Sequence, residues 1–321
     1  MVIDAHCHLF QSLDAFPAVL IDGMRQSKTE FFRGIHKSES MARRAADEWL
    51  AGLSKSGTIE ECIKTMDEVG VDVSVVSIWD ASVMCNQEPK ISIWEQNQYV
   101  AEAQKRYPDR IIALVGVDPL RKGAIEIVER GVTELGLKKG VKVYSSSCTP
   151  TDERIAPFMA KLNEMELPAL FHAGSDPLPL LIQYGDPRDL DALTLKYPKI
   201  KIQAGHCARG FEHLLTEIIC FREGMIFQDL SGLQDYYQKS PWHFLLYLRY
   251  AMDRVPRSVM MGTDWPWTRI PPRLSAKEWF DLIRNMKIPK PVLDLGLGMR
   301  DFTQEEKDMI LGENARRFYG I

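Results

Sequence analysis

VIDAHCH, residues 2–8, is a short apolar run that ends in two histidines two positions apart. In an extended strand, residues two apart point the same way, so this reading puts Asp4, His6 and His8 on one face and Ala5 and Cys7 on the other. Seven further runs of the same kind follow: VDVSVVSIW from Val71, IIALVGV from Ile111, GVKVY from Gly140, PALFHAG from Pro168, IKIQAGH from Ile200, MIFQDLSG from Met225 and SVMMGTDW from Ser258. Between them, apolar residues recur at helical spacing over 58–69, 91–107, 124–135, 152–165, 188–197, 211–222 and 241–252. Strict alternation of this kind predicts parallel strands joined by crossover helices. An open doubly wound sheet would need a glycine-rich phosphate loop after the first strand, whereas DAHCHLF runs straight into a long insertion. The expected fold is therefore α/β, a closed (β/α)8 TIM barrel.

The 321 residues suit one such domain, 1–321, with two additions to the repeat. Residues 11–57 form an insertion after strand 1 that carries Phe31, Phe32 and Trp49, and its expected use is a lid over the barrel mouth. Residues 271–321 form a helical extension, whose closing helix from Gln304 to Tyr319 is expected to pack across the barrel. Helix punctuation agrees. Thr58 with Glu61 has the spacing of a capping box, and Gly70 stands where a helix hands over to a strand.

Composition excludes several classes of function. A hydrophobic content of 45% with 26% charged residues is that of a globular chain with a sizeable core. The net charge of -4 provides no basic field for a nucleic-acid backbone, so the expected partner is a small-molecule substrate. No apolar run has the length of a bilayer span, and MVIDAHCH has no signal-peptide pattern, so a cytoplasmic location is expected. Six cysteines without a CxxC pair read as reduced thiols rather than a disulfide or zinc framework.

Of the seven histidines, four lie at expected strand ends: His6, His8, His172 and His206. Asp264 ends the eighth strand. Strand C-termini are where barrel enzymes assemble their sites. Neutral imidazoles with one carboxylate suit a borderline divalent ion such as zinc, with a position left open for water or substrate. His206, an imidazole at a strand end, suits acid or base work. Arg209, just after His206, has a fork able to grip a carboxylate or to form an ordinary ion pair. Trp265 and Trp267 flank Asp264 and suit either stacking on a flat substrate or rim packing. Lys142 alternates with Val141 and Val143 and so is expected to point into the barrel with Tyr144.

DAHCHLF, FHAG, AGHCARG, GTDWP and the closing ILGENARRFYGI, in that order and spanning essentially the whole chain, resemble the amidohydrolase superfamily. The branch most similar is the amidohydrolase-related one, which includes aminocarboxymuconate-semialdehyde decarboxylase, resorcylate-type decarboxylases and assorted hydrolases. The resemblance implies one divalent metal ion held by His6, His8, His172 and Asp264. It makes His206 and Asp264 catalytic, and Arg209, Lys142 and Trp265 candidates for substrate binding. In binuclear members a fourth-strand lysine is carbamylated and bridges two metals. The branch resembled here is mononuclear, where Lys142 would instead be a cation for substrate. The family also implies a homodimer.

The leading expectation is metal-dependent hydrolysis of an amide, lactone or ester-like bond, with Asp264 taking a proton from activated water. The same residues also suit nonoxidative decarboxylation of an aromatic or muconate-like acid, with His206 supplying the proton that replaces carbon dioxide. A metal-independent lactonase, with Asp264 as sole general base, is a third reading. A non-catalytic barrel that binds a metal or metabolite is a fourth.

Overall fold

A computed structural model describes residues 1–36, 38–144, 147–175, 181–267 and 274–321. The strands are β1 (Ile3–His8), β2 (Val73–Ser77), β3 (Ile111–Ala113), β4 (Val115–Val117), β5 (Val141–Val143), β6 (Ala169–Phe171), β7 (Ile202–Ala204), β8 (Ile226–Asp229) and β9 (Val259–Met260). β3 and β4 are one run interrupted at Leu114, so the expected eight strands are all present. Every pairing is parallel, in the order β1-β2-β3 and then β4 through β9. At the interruption Leu114 N–H donates to Val76 O at 2.9 Å and Val115 N–H to Gly140 O at 3.1 Å, which joins the two sheets.

The ring closes where the chain beyond β9 meets β1. Ala5 N–H donates to Met261 O at 2.9 Å, Asp264 N–H to His6 O at 2.9 Å and His8 N–H to Trp265 O at 2.6 Å. This is the TIM barrel that the alternation of elements predicted.

β1 departs from simple alternation. Its register against β2 runs Ile3 to Val73 and Asp4 to Ser74, then Cys7 to Val76 and His8 to Ser77. Three steps on β1 therefore face two on β2, a β-bulge that inserts one residue and shifts the phase of the strand. Ile3 and Ala5 join the barrel-floor cluster with Val75, Leu170, Phe227 and Met260. Asp4 instead lines a small outer cavity with Cys62, Met66, Thr263, Trp265 and Phe280. The expectation that Asp4 shares the face of His6 and His8 is thus corrected. The bulge lets both histidines face inward while Asp4 stays outside, bonded to Thr263.

The helices follow their apolar stripes. Thr58 caps the helix Ile59–Val69 by accepting from Glu61 N–H at 3.4 Å, and that helix ends on Gly70 at φ 72°, a left-handed turn that glycine takes without strain. The reciprocal capping box occurs at Ser92 and Glu95, Ser275 and Glu278, and Thr303 and Glu306. The insertion folds as two helices, Ala18–Arg33 and Glu39–Ser56, packed on each other. Ile21, Leu50 and Leu53 anchor them to Phe10, Ala15 and Phe16 beside the barrel mouth. Gly57 lies so close to Phe10 that a Cβ there would sit 2.4 Å from its ring.

Residues 271–273 of the extension lie outside the described residues. Beyond them, the helix Ala276–Asn285 buries Trp279, Phe280 and Ile283 against Ile59–Val69. The closing segment runs through Gln304–Asp308, a π turn at Met309–Glu313 and Asn314–Tyr319. Its Ala315, Phe318 and Tyr319 plug the floor of the barrel. All six cysteines are free, and no helix of the described residues is long and apolar enough to cross a membrane.

Candidate metal and acid–base site

Strand ends converge on the barrel's upper interior. Among the described residues, two groups bring ligand atoms within 4.8 Å of one another: His6, His8 and Asp264, and His6, His206 and Asp229. His172 belongs to neither group. Its ring lies 4.9 Å from that of His206 and 4.5 Å from that of Tyr144.

His6 is fully buried, and its two ring nitrogens face different partners. Nδ1 lies 3.1 Å from Asp229 Oδ2 and 2.9 Å from Ser231 Oγ, whereas Nε2 lies 2.9 Å from Lys142 Nζ. Lys142 is 2% exposed and points into the barrel, as its alternation predicted. Burial and then the lysine's charge push the His6 imidazole down to about 3, so it is neutral at physiological pH, the form a metal requires. Burial lowers His8 and His172 as well.

Burial alone would raise the carboxyl of Asp264. Its bond to His8, at 3.5 Å from Nε2, and the nearby His206 and His6 outweigh that and hold it well below the usual carboxylate range. Neutral imidazoles beside an ionised carboxylate are the protonation states a divalent cation needs, so these residues fit a metal ion.

His206 and Asp264 share a backbone feature. Both lie in left-handed conformation, at φ 59° and φ 60°, and His206 is followed by Cys207 and Ala208 at φ 49° each. A non-glycine residue held there costs about 1–3 kcal/mol and persists only where the surroundings impose it. Here His206 N–H is bound by Asp229 Oδ1 at 3.2 Å and Asp264 N–H by His6 O. Nδ1 of His206 lies 3.1 Å from Ser231 O, an atom that only accepts, so Nδ1 carries the proton and Nε2 keeps its lone pair.

Sequence reasoning missed Asp229 and Ser231. Asp229 receives His6 Nδ1, Gln203 Nε2, and the N–H groups of His206 and Ser231. Burial would raise it, but His6, His206 and Ser231 bring it below the ordinary range. Its signal was present in MIFQDLSG, where an acid ends an otherwise apolar strand.

The expected substrate residues separate. Arg209 donates to Ser175 O at 2.7 Å and Gly232 O at 3.5 Å, tying two loops together. Trp265 is buried and lines the outer cavity beside Cys62 and Phe280. Trp267 is the tryptophan at the mouth. Its ring packs against Phe10 at 5.8 Å, Phe16 at 5.6 Å and Trp79 at 5.7 Å. Trp79 continues to Tyr144 at 5.1 Å, and Tyr144 to His172. Aromatic rings thus run without a break from the helical insertion to the histidines. Of the other histidines, His213 packs on Tyr247 and Tyr250, His243 stacks on Tyr236, and His36 contacts Phe32.

A family model described as amidohydrolase matches residues 3–321. No curated protein matches the sequence. Among solved structures, 5-carboxyvanillate decarboxylase from Novosphingobium aromaticivorans, with bound manganese and 3-methoxy-4-hydroxy-5-nitrobenzoic acid, is 16% identical with a TM-score of 0.65, covering 100% of this chain and 97% of that one. 2,6-Dihydroxybenzoate decarboxylase from Rhizobium is 15% identical with a TM-score of 0.63, covering 99% and 98%. 4-Oxalomesaconate hydratase from Rhodopseudomonas palustris is 19% identical with a TM-score of 0.59, covering 100% and 96%. At these identities the likeness establishes the shared fold.

Proposed function

The chain belongs to the amidohydrolase family, and from that premise we propose that it is a metal-dependent enzyme that decarboxylates a planar, aromatic or muconate-like acid without oxidation. The observation that carries this reading is the wall of rings from Phe16 through Trp267, Trp79 and Tyr144 to His172, which suits a flat substrate with its acid end toward the histidines. The decarboxylase names of similar folds support it, as do the manganese and nitrobenzoate bound in one of them.

His6, His8 and Asp264 would hold the ion, and the family resemblance adds His172, whose ring lies 4.9 Å from that of His206, as a fourth donor. Histidine and carboxylate donors without thiolate suit manganese as well as zinc. A bound divalent ion would supply Lewis acidity at a substrate oxygen. The remaining chemistry falls to the chain. His206, its Nδ1–H held by Ser231 O, takes a proton from solvent on Nε2 and delivers it to the substrate carbon that bears the carboxylate. The bond from that carbon to the carboxylate then breaks and carbon dioxide leaves, so one proton is consumed per turnover and His206 returns to neutral. Lys142 adds positive charge below the ligands.

Hydrolysis is the second reading, favoured by the place of the Asp264 carboxylate beside His6 and His8, where it would face a water held at the ion. The two readings part in one assay. Protein reconstituted with Mn2+ or Zn2+ is offered hydroxybenzoates, muconate-like acids, lactones and amides in deuterated or oxygen-18 water. Decarboxylation predicts release of carbon dioxide and one solvent deuterium on the product carbon. Oxygen-18 in the product without carbon dioxide would establish hydrolysis instead, and activity undiminished by a chelator would remove the metal from both.

A further inference from the structure

Below the ligand residues, a line of hydrogen bonds descends through the barrel to its floor. Tyr319 OH donates to Gln203 Oε1 at 2.6 Å. Gln203 Nε2 donates to Asp229 Oδ2 at 2.6 Å and to Ala5 O at 3.0 Å. Asp229 in turn faces His6 Nδ1. All four side chains are buried, three of them completely.

The direction of each bond follows from chemistry. Ala5 O and the ionised Asp229 only accept, so the amide must turn its NH2 toward them and its oxygen toward the floor. That oxygen requires a donor, and the Tyr319 hydroxyl provides one. Burial raises the phenol, which keeps its proton. At the other end an acceptor-only carboxylate at 3.1 Å requires that Nδ1 of His6 carry the hydrogen. Nε2 is left with its lone pair facing Lys142 Nζ and the site.

We propose that Tyr319 and Gln203 are positioning residues for the metal centre: Tyr319 from the closing helix and Gln203 from β7 fix the orientation of Asp229 and through it the Nδ1–H form of His6. The inference rests on the metal-binding reading above. Without the phenol, Gln203 Oε1 loses its donor at the floor, the amide is no longer held from below, and its grip on Asp229, and through it on His6 Nδ1, loosens. Partners of this type alter metal affinity by roughly 10–100-fold when removed.

The test compares Tyr319→Phe and Gln203→Met with Lys139→Ala. Lys139 Nζ bonds the backbone oxygens of Tyr319 and Gly320 at 2.9 and 3.1 Å, so its loss loosens the same helix without touching the line of bonds. Two quantities are read: nitrogen-15 NMR of the histidines in metal-free protein, and Mn2+ and Zn2+ affinity by competition with a chelator. Tyr319→Phe and Gln203→Met are expected to weaken binding roughly tenfold and to populate the Nε2–H form of His6, with Lys139→Ala like wild type in both. The inference is overturned if Tyr319→Phe retains wild-type affinity and tautomer, or if Lys139→Ala weakens binding as much. If Gln203→Met does not fold, Tyr319→Phe, which removes one oxygen atom, decides. Should wild type bind neither ion, the metal reading fails, and the tautomer spectra alone decide the role of Tyr319.

Discussion

Nζ of Lys142 and Nε2 of His6 lie 2.9 Å apart in the barrel interior, so a buried ammonium stands at the ring nitrogen that a metal ion would take. An ion bound there meets a like charge. Replacing Lys142 by Met is therefore expected to tighten Mn2+ or Zn2+ binding about tenfold, or ~1.4 kcal/mol. Chelator competition measures it. A carbamate on Lys142 bridging two metals would give the reverse, lost affinity and a halved metal content.

His206 is expected to act on substrate rather than hold the ion. His206→Gln should keep wild-type metal content while kcat falls about 10²–10⁴-fold, the range for a lost general acid or base. His8→Ala should instead lose the metal. If His206→Gln loses metal in parallel with activity, the acid–base assignment is wrong. Metal analysis beside steady-state kinetics separates the two.

The aromatic wall predicts a binding defect. Trp267→Ala removes a ring that touches Phe10, Phe16 and Trp79 together, so KM for a planar acid should rise roughly tenfold with a smaller change in kcat. Trp265→Phe, in the outer cavity, should leave KM unchanged. A KM rise confined to Trp265→Phe would place the substrate elsewhere.

Far from the site, Arg249 and Glu306 form a buried ion pair at 2.6 Å. Burial opposes the charge on Glu306, but bonds from Arg249, the Thr303 N–H and Arg300 prevail and bring the carboxyl down to about 2. An acid depressed on folding stabilises the fold above its unfolded value of 4.5 and loses that contribution as pH falls toward 2. Glu306→Gln should therefore cost about 3 kcal/mol at neutral pH and much less near pH 2, by urea unfolding at each pH. An equal cost at both would show that the charge contributes nothing.

Much of the fold was legible because its signals are local. Eight apolar runs, the helical spacing between them, Gly70 and the position of His6, His8, His172, His206 and Asp264 at strand ends all depend on residues near one another in the chain. The inward direction of Lys142 was legible for the same reason, since it follows from alternation alone.

The phase of β1 was not. VIDAHCH by itself puts Asp4 with the two histidines, and only pairing against β2 inserts the bulge that turns Asp4 outward to Thr263. Nor did GTDWPW reveal which tryptophan faces the mouth. Asp229, Ser231, Gln203 and Tyr319 are ordinary residues in the sequence. They acquire a role because barrel closure brings Asp229 and Ser231, more than two hundred positions away in the chain, into hydrogen-bond range of His6, with Gln203 and Tyr319 linked behind Asp229. The strand ends and their donors were thus set by local pattern in the sequence. The side chains that orient those donors were decided by tertiary structure, because a buried hydrogen bond depends on which strands become neighbours.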